Sequence, residues 1–207
     1  MTVWLFWTGL VLGAIAMAGD FVVPSILARN YPGYSHLRDT ISTLGTPESP
    51  VKHPLRVWLI VFGICFLGFA VGQASRFHLL TWCHWLYVTG IGAFGLGAGI
   101  VAGIFPEDPP ETAETLSGKI HGISAGLGSM LLLLTPLCAR GMVECSAVKG
   151  WNTLGFSIGL IAFILFLVSG KRSRFPGQWT GLWQRLFLAV LYSVLLLNAW
   201  AFRTSAS

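Results

Sequence analysis

Charged residues occupy only 10% of this 207-residue chain, so a few ionisable and hydroxyl side chains carry whatever side-chain chemistry it has. Four of the eight acidic residues, Glu107, Asp108, Glu111 and Glu114, share one short segment around Phe105-Pro106-Glu107-Asp108-Pro109-Pro110-Glu111, with Lys119 and His121 just beyond. A second polar group, His36, Arg38, Asp39 and Ser42, lies between the first two apolar stretches, and Asp20 interrupts the first stretch. Carboxylates and imidazoles in such groups ligate a divalent metal, relay protons, or act as general bases beside a hydroxyl nucleophile. Acids at the edge of hydrocarbon are costly, and they persist there with a partner, a proton or a task.

The expected assignments follow from residue type. Asp20, His36, Asp39, Asp108 and His121 form the candidate ligand or acid–base set, with Ser42 as nucleophile or substrate contact. Arg38 is placed to hold an anionic head group, and Glu107 is a second candidate for substrate binding. If a divalent metal is held, its candidate ligands are His36, Asp39, Asp108 and His121. Each residue also has a plainer role: Asp20 as an interhelical hydrogen-bonding or snorkelling group, His36 and Asp39 as the solvated side of a loop helix, Glu107 and Asp108 as turn formers and caps. Glu111 and Glu114 precede the fourth apolar stretch and suit the positive end of its helix dipole.

The elements that position these residues are set by composition. A hydrophobic fraction of 54%, nine Trp and a mean hydropathy of +0.71 cannot be hidden in one soluble core, so most apolar surface faces lipid. Crossing about 30 Å of hydrocarbon takes roughly 20 helical residues. Six stretches qualify, 3–24, 57–75, 80–104, 120–139, 151–170 and 185–203. The expectation is an all-α, polytopic membrane bundle of six transmembrane helices forming one domain over 1–207. The apolar runs are continuous and lack the alternation of barrel strands.

The long first loop predicts one further element. Ser35 can cap a short amphipathic helix through His36-Leu37-Arg38-Asp39-Thr40-Ile41-Ser42-Thr43-Leu44 that Gly45 ends, with Leu37, Ile41 and Leu44 on one side. Such a helix is too short to span and suits the membrane interface or a position tucked against the bundle. Glycines recur at four-residue intervals, Gly95, Gly99 and Gly103 on the third stretch and Gly118, Gly122 and Gly126 on the fourth. Small residues at that spacing let helix backbones approach closely in lipid. They predict a tight hairpin of spans three and four with the acidic loop at its tip, or contacts between copies in a homo-oligomer.

The net charge of +5 is scattered over membrane-flanking loops and forms no stripe with interleaved aromatics, which argues against nucleic acid. Loops one, three and five carry nine of the thirteen basic residues, including Lys171-Arg172-Ser173-Arg174, against four on the other face. That asymmetry places those loops in the cytoplasm and both termini outside. Cys65, Cys83, Cys138 and Cys145 show no metal-ligand spacing and read as packing residues. Ala16-Met17-Ala18 resembles a cleavage site, but the preceding segment has no basic region and the apolar run continues, so an uncleaved first span is expected. His78 and His84 lie on the opposite face from His36 and His121, and none sits at mid-membrane depth, so haem between spans is disfavoured. No HExxH, GxSxG, Walker loop or dinucleotide fingerprint is present.

The pairing of Tyr34-Ser35-His36-Leu37-Arg38-Asp39-Thr40-Ile41-Ser42-Thr43-Leu44-Gly45 with Gly103-Ile104-Phe105-Pro106-Glu107-Asp108-Pro109 and His121 resembles a prokaryotic membrane family, domain of unknown function 998. The resemblance covers nearly the whole chain and implies a small helical integral membrane protein, hence the plasma (inner) membrane. It brings no reaction. From the residues, two classes stand: a membrane-embedded enzyme, a metal-assisted hydrolase or transferase acting on a lipid or other amphiphile, and a non-catalytic transporter or lipid-handling, ion-coupled module. In the first, the membrane lipids themselves are the partner, since their reactive bonds sit at the depth of these polar residues.

Overall fold

Lipid offers no partner for backbone N–H and C=O groups, so an apolar stretch that enters it folds as a helix, which pairs them internally. The computed structural model of the protein describes residues 2–77, 81–109, 112–169 and 179–203. His78, Glu111 and the Lys171-Arg172-Ser173-Arg174 run lie outside the described residues. Six helices long and apolar enough to cross a membrane are present, and no strand occurs among the described residues. They are α1 (Thr2–Ala28), α2 (Lys52–Ala74), α3 (Trp82–Ile104), α4 (Leu116–Met142), α5 (Ser146–Val168) and α6 (Thr180–Phe202).

Four of these helices begin four or five residues before the apolar stretches do. The first turns of α2, α4 and α5 hold Lys52 and His53, Lys119, and Lys149, and the start of α6 holds Gln184 just ahead of its apolar stretch, polar groups that belong to the helix but not to the hydrocarbon. Two helices run through proline. Pro136 cannot donate to the Leu132 carbonyl, and the Thr135 hydroxyl bonds that carbonyl instead at 2.7 Å. Pro24 in α1 likewise leaves the Asp20 carbonyl without its usual donor.

The core is aromatic. Phe62, Phe66, Phe94 and Tyr192 pack ring against ring, with centroids 4.8 to 6.3 Å apart. Asn152 of α5 and Asn198 of α6 exchange two amide hydrogen bonds of 2.8 and 2.9 Å inside the bundle. Such paired amides tie helices together where apolar burial gives no drive.

Spans three and four do pack as a hairpin, but largely through other glycines than those expected. A methyl group on Gly90 would lie 2.7 Å from the Leu131 carbonyl, one on Gly128 2.9 Å from that of Ala93, and one on Gly97 would strike the Ser124 carbonyl. Gly95, Gly99 and Gly103 instead face α2, where a methyl on Gly99 would lie 2.5 Å from Gly63 Cα. Between Gly95 and Val101 the α3 backbone widens into a π-helical turn, an irregularity often found beside functional sites. Gly122 and Gly126 touch no neighbour within 4 Å of where a methyl would stand.

The ten-residue helix expected in loop one does not form. Residues 36–39 make one turn, and a 3-10 turn follows over Ser42–Gly45. The physical reason is competition for the loop's carbonyls. Leu37 and Arg38 accept from the N–H groups of Leu182 and Gly181 at the start of α6 (2.9 and 3.3 Å), so they are not free to build a helix of their own. Ile41 and Leu44 are buried as the amphipathic pattern requires, whereas Leu37 is 53% exposed.

Candidate functional site

Loop one is held over the bundle by the first two turns of α6. Arg185 Nη1 donates to the carbonyls of His36 (2.8 Å), Asp39 (3.0 Å) and its own helix's Gly181 (3.0 Å). Its Nη2 donates to the Tyr34 hydroxyl at 2.7 Å and to His36 Nδ1 at 3.3 Å. Burial pushes the Tyr34 hydroxyl above its ordinary range, against the opposing pull of Arg185. Burial, and then the Arg185 charge, hold His36 below its ordinary value. Gln184 adds a further tie, its Oε1 accepting the Ile41 N–H at 2.8 Å. The next residue is Ser42, whose position is therefore set by α6 and not by loop one alone.

The other side of the site comes from the α3–α4 hairpin. The backbone becomes extended at Phe105 as α3 ends, and the Phe105 carbonyl meets His121 Nδ1 at 2.9 Å. A carbonyl only accepts, so Nδ1 carries the proton and a neutral ring leaves Nε2 as an acceptor. That nitrogen lies 3.1 Å from Ser42 Oγ. A hydroxyl is thereby hydrogen-bonded to an imidazole whose far nitrogen is fixed by a third group, the geometry of a nucleophile with its general base. His121 is only 6% exposed.

The dyad opens into a cavity of about 290 Å³ to which all six helices contribute. Its polar mouth is formed by Thr40, Ser42, Glu107, His121 and Gln184, with Asp20 also on its wall. Most of the remainder is apolar: Leu59, Phe62, Phe94 and Ala98 from α2 and α3, and Phe163, Phe166, Leu167, Phe187 and Leu188 from α5 and α6. Ile41 of loop one and Gly122, Ala125, Gly126 and Ser129 of α4 complete the lining. Glu107 accepts from the Thr40 hydroxyl at 3.2 Å, which ties the acidic loop to loop one across the mouth.

Asp20 is 4% exposed and accepts from the Tyr192 hydroxyl at 2.8 Å. Gly19 beside it leaves room for the Trp58 ring, which any larger side chain would strike.

Asp20, Ser42, Glu107 and His121, widely separated in sequence, thus share one cavity. His36, Arg38, Asp39 and Asp108 do not line it. Asp39 accepts from the Ser35 N–H at 2.7 Å and closes the loop turn, and Arg38 is exposed. Asp108 accepts from the Thr115 N–H (2.8 Å) and hydroxyl (2.7 Å), while Thr115 caps α4 by accepting from the Gly118 N–H at 3.1 Å. Its carboxylate organises the hairpin tip. The four candidate metal ligands do not converge, and no group of three His, Cys, Asp or Glu side chains able to hold a metal ion occurs among the described residues. His84 caps α3, its Nδ1 accepting from the Thr81 N–H at 3.0 Å.

Thr40, Gln184, Arg185 and Tyr192 join the site without having been singled out by sequence. Gln184 and Arg185 carried the only available signal, two adjacent polar residues at the head of an apolar run. Residues 11–201 match the family model described as protein of unknown function (DUF998). The chain belongs to that family. No curated protein and no solved structure matches this DUF998 chain.

Proposed function

We propose that this DUF998 protein is a membrane-embedded acyl-transfer enzyme, a hydrolase or transferase, that acts on ester-linked lipids at the membrane interface. The observation that carries this reading is the hydrogen bond from Ser42 Oγ to His121 Nε2 at the mouth of an apolar cavity. Ser42 Oγ attacks the carbonyl carbon of the ester while His121 Nε2 takes the hydroxyl proton. The Phe105 carbonyl, on Nδ1–H, orients the ring and stabilises the imidazolium that forms. As the intermediate collapses, the carbonyl–oxygen bond to the alcohol breaks and the alcohol leaves with the proton from Nε2. Water or an acceptor hydroxyl then attacks the acyl-serine, losing its proton to His121 Nε2, and the acyl–Oγ bond breaks as Ser42 Oγ takes that proton back.

Ser42 and Gln184 both line the cavity, and in this reading each offers an N–H donor to the developing oxyanion. The Ser42 N–H opens the 3-10 turn and so has no acceptor within it, and Gln184 retains its amide NH₂ because its Oε1 receives the Ile41 N–H. Donors of this kind contribute about 3–4 kcal/mol each to the transition state.

The test is hydrolysis of a monoacylglycerol by the full-length protein in lipid vesicles. Ser42→Ala and His121→Gln are each expected to lower the rate by at least about 10²-fold, the scale of a lost general base. Wild-type and variant rates equal to protein-free vesicles would end this reading. A second reading, an ion-coupled or lipid-handling module, is favoured by one observation: Asp20 is a nearly fully buried acid within α1 whose bonded partner, Tyr192, is neutral. Proton flux that disappears in Asp20→Asn but persists in Ser42→Ala would support it over acyl transfer. The nine-to-four split of basic residues supports a cytoplasmic location for the dyad, and the family resemblance supports the plasma membrane of a prokaryote.

A further inference from the structure

A glycine inside a helix costs about 1 kcal/mol relative to alanine, so each one needs a reason. On α4 the reasons divide. Gly118 and Gly128 are required by neighbours, since methyl groups there would run into the Asp108 carboxylate and the Ala93 carbonyl. Gly122 and Gly126 are not, because a methyl at either would meet nothing within 4 Å, and both line the cavity. They follow His121 along the helix at successive turns, and Ser129, also on the lining, comes one turn deeper.

Ser129 is the midpoint of the 27-residue helix α4, so the lining descends from the interface to mid-bilayer depth. Eight residues separate His121 from Ser129, roughly 12 Å at 1.5 Å per residue. An extended hydrocarbon advances roughly 1.25 Å per carbon, from bonds of about 1.5 Å at tetrahedral angles, so that depth matches about ten carbons. The same lining holds Phe163 and Phe166 of α5 and Phe187 and Leu188 of α6, and below Glu107 and His121 its one ionisable side chain is Asp20, which is bonded to Tyr192. An unbranched acyl chain with its polar end at Ser42 and His121 satisfies both halves of this lining.

We propose that the cavity is a slot for a single straight acyl chain of about ten carbons, and that Gly126 sets its length by leaving the deeper half open. The proposal rests on the acyl-transfer reading only for the identity of the group at the mouth. Longer chains would have to bend or leave the slot, and Gly122 keeps the shallower half open for chains of every length.

The experiment uses the full-length Ser42→Ala protein in detergent, with displacement of bound tritiated octanoic acid, short enough for the slot in every variant, by saturated fatty acids of increasing length. Affinity is expected to rise roughly fourfold per carbon, the contribution of each methylene buried, and to level off near ten carbons. Gly126→Leu is expected to move that plateau to shorter chains while leaving the shortest unchanged, and Gly122→Leu to weaken all lengths. Leucine is the better helix former at both positions, and an unchanged melting temperature confirms that each variant folds. Ser129→Phe gives an independent check at the deep end, shortening the plateau by fewer carbons than Gly126→Leu. A wild-type length profile retained in Gly126→Leu, or no displacement at any length, overturns the slot. Length-dependent binding without esterase activity leaves the slot standing and removes the acyl-transfer reading; esterase activity indifferent to chain length in wild type and Gly126→Leu does the reverse.

Discussion

Replacing Arg185 with Met should undock loop one and separate Ser42 from His121, although neither dyad residue touches Arg185. The guanidinium bridges three groups of the loop, the His36 and Asp39 carbonyls and the Tyr34 hydroxyl, at 2.7 to 3.0 Å. Hydrogen bonds to a charged group contribute about 1.5–3 kcal/mol each. Arg185 is half-buried, so water replaces part of what is lost, and a net weakening of docking on the order of 2–4 kcal/mol is expected. At 1.4 kcal/mol per decade this shifts the docked-to-undocked ratio by roughly 30- to 700-fold. Arg185→Lys should recover little, since a single ammonium cannot span carbonyls and hydroxyl in the same fork. The assay is limited proteolysis of loop one in detergent, read beside monoacylglycerol turnover. Faster cleavage between Arg29 and Lys52 together with a matching loss of turnover is the expected result. Proteolysis and turnover both at wild-type levels would show that Arg185 does not hold the loop, and the assembly of the dyad would need another cause.

The same loop should respond to pH through His36. Its ring is held below the ordinary value of 6.5 by burial and then by Arg185, so the docked loop favours the neutral form. Its contribution is full above pH 6.5 and is lost as pH falls through the lower folded-state value; proteolysis should accelerate in that window in wild type and not in His36→Gln. Gly118→Ala should destabilise the hairpin tip, because the added methyl would displace the Asp108 carboxylate from Thr115. A loss of about 0.5–2 kcal/mol is expected, the scale of a helix cap, visible as a lower melting temperature. Asn152→Ala leaves the buried Asn198 amide unpaired and should cost about 1–2 kcal/mol, with Asn152→Ala/Asn198→Ala costing less than the sum of the single changes.

The six helices were legible because lipid forces the correspondence between an apolar run and a helix, and only their polar first turns escaped. Asp20, Ser42, Glu107 and His121 could be picked out because ionisable groups are scarce here, and because loops one and three emerge on the same side of the membrane. The loop-one helix does not form, and an amphipathic pattern carries no information about rival hydrogen-bond partners. The N–H groups of Gly181 and Leu182, more than 140 residues away, take the carbonyls that helix would have used. Arg185 is one of the nine basic residues whose distribution sets membrane orientation, yet its main contacts are with loop one. The glycine ladders show a related limit. A four-residue spacing says that one face of a helix is stripped of side chains, but not whether the vacated space admits a neighbouring backbone, as at Gly99, or a cavity, as at Gly126.

Covalent capture of the nucleophile tests the reading of the dyad most directly. The full-length protein in native membranes would be treated with a long-chain alkyl fluorophosphonate and the adduct mapped by peptide mass spectrometry. The expected result is a single adduct on Ser42, absent in Ser42→Ala and strongly slowed in His121→Gln while the melting temperature holds. An unlabelled Ser42 in folded wild-type protein, or labelling that is as fast without the imidazole as with it, would contradict a nucleophile activated by His121.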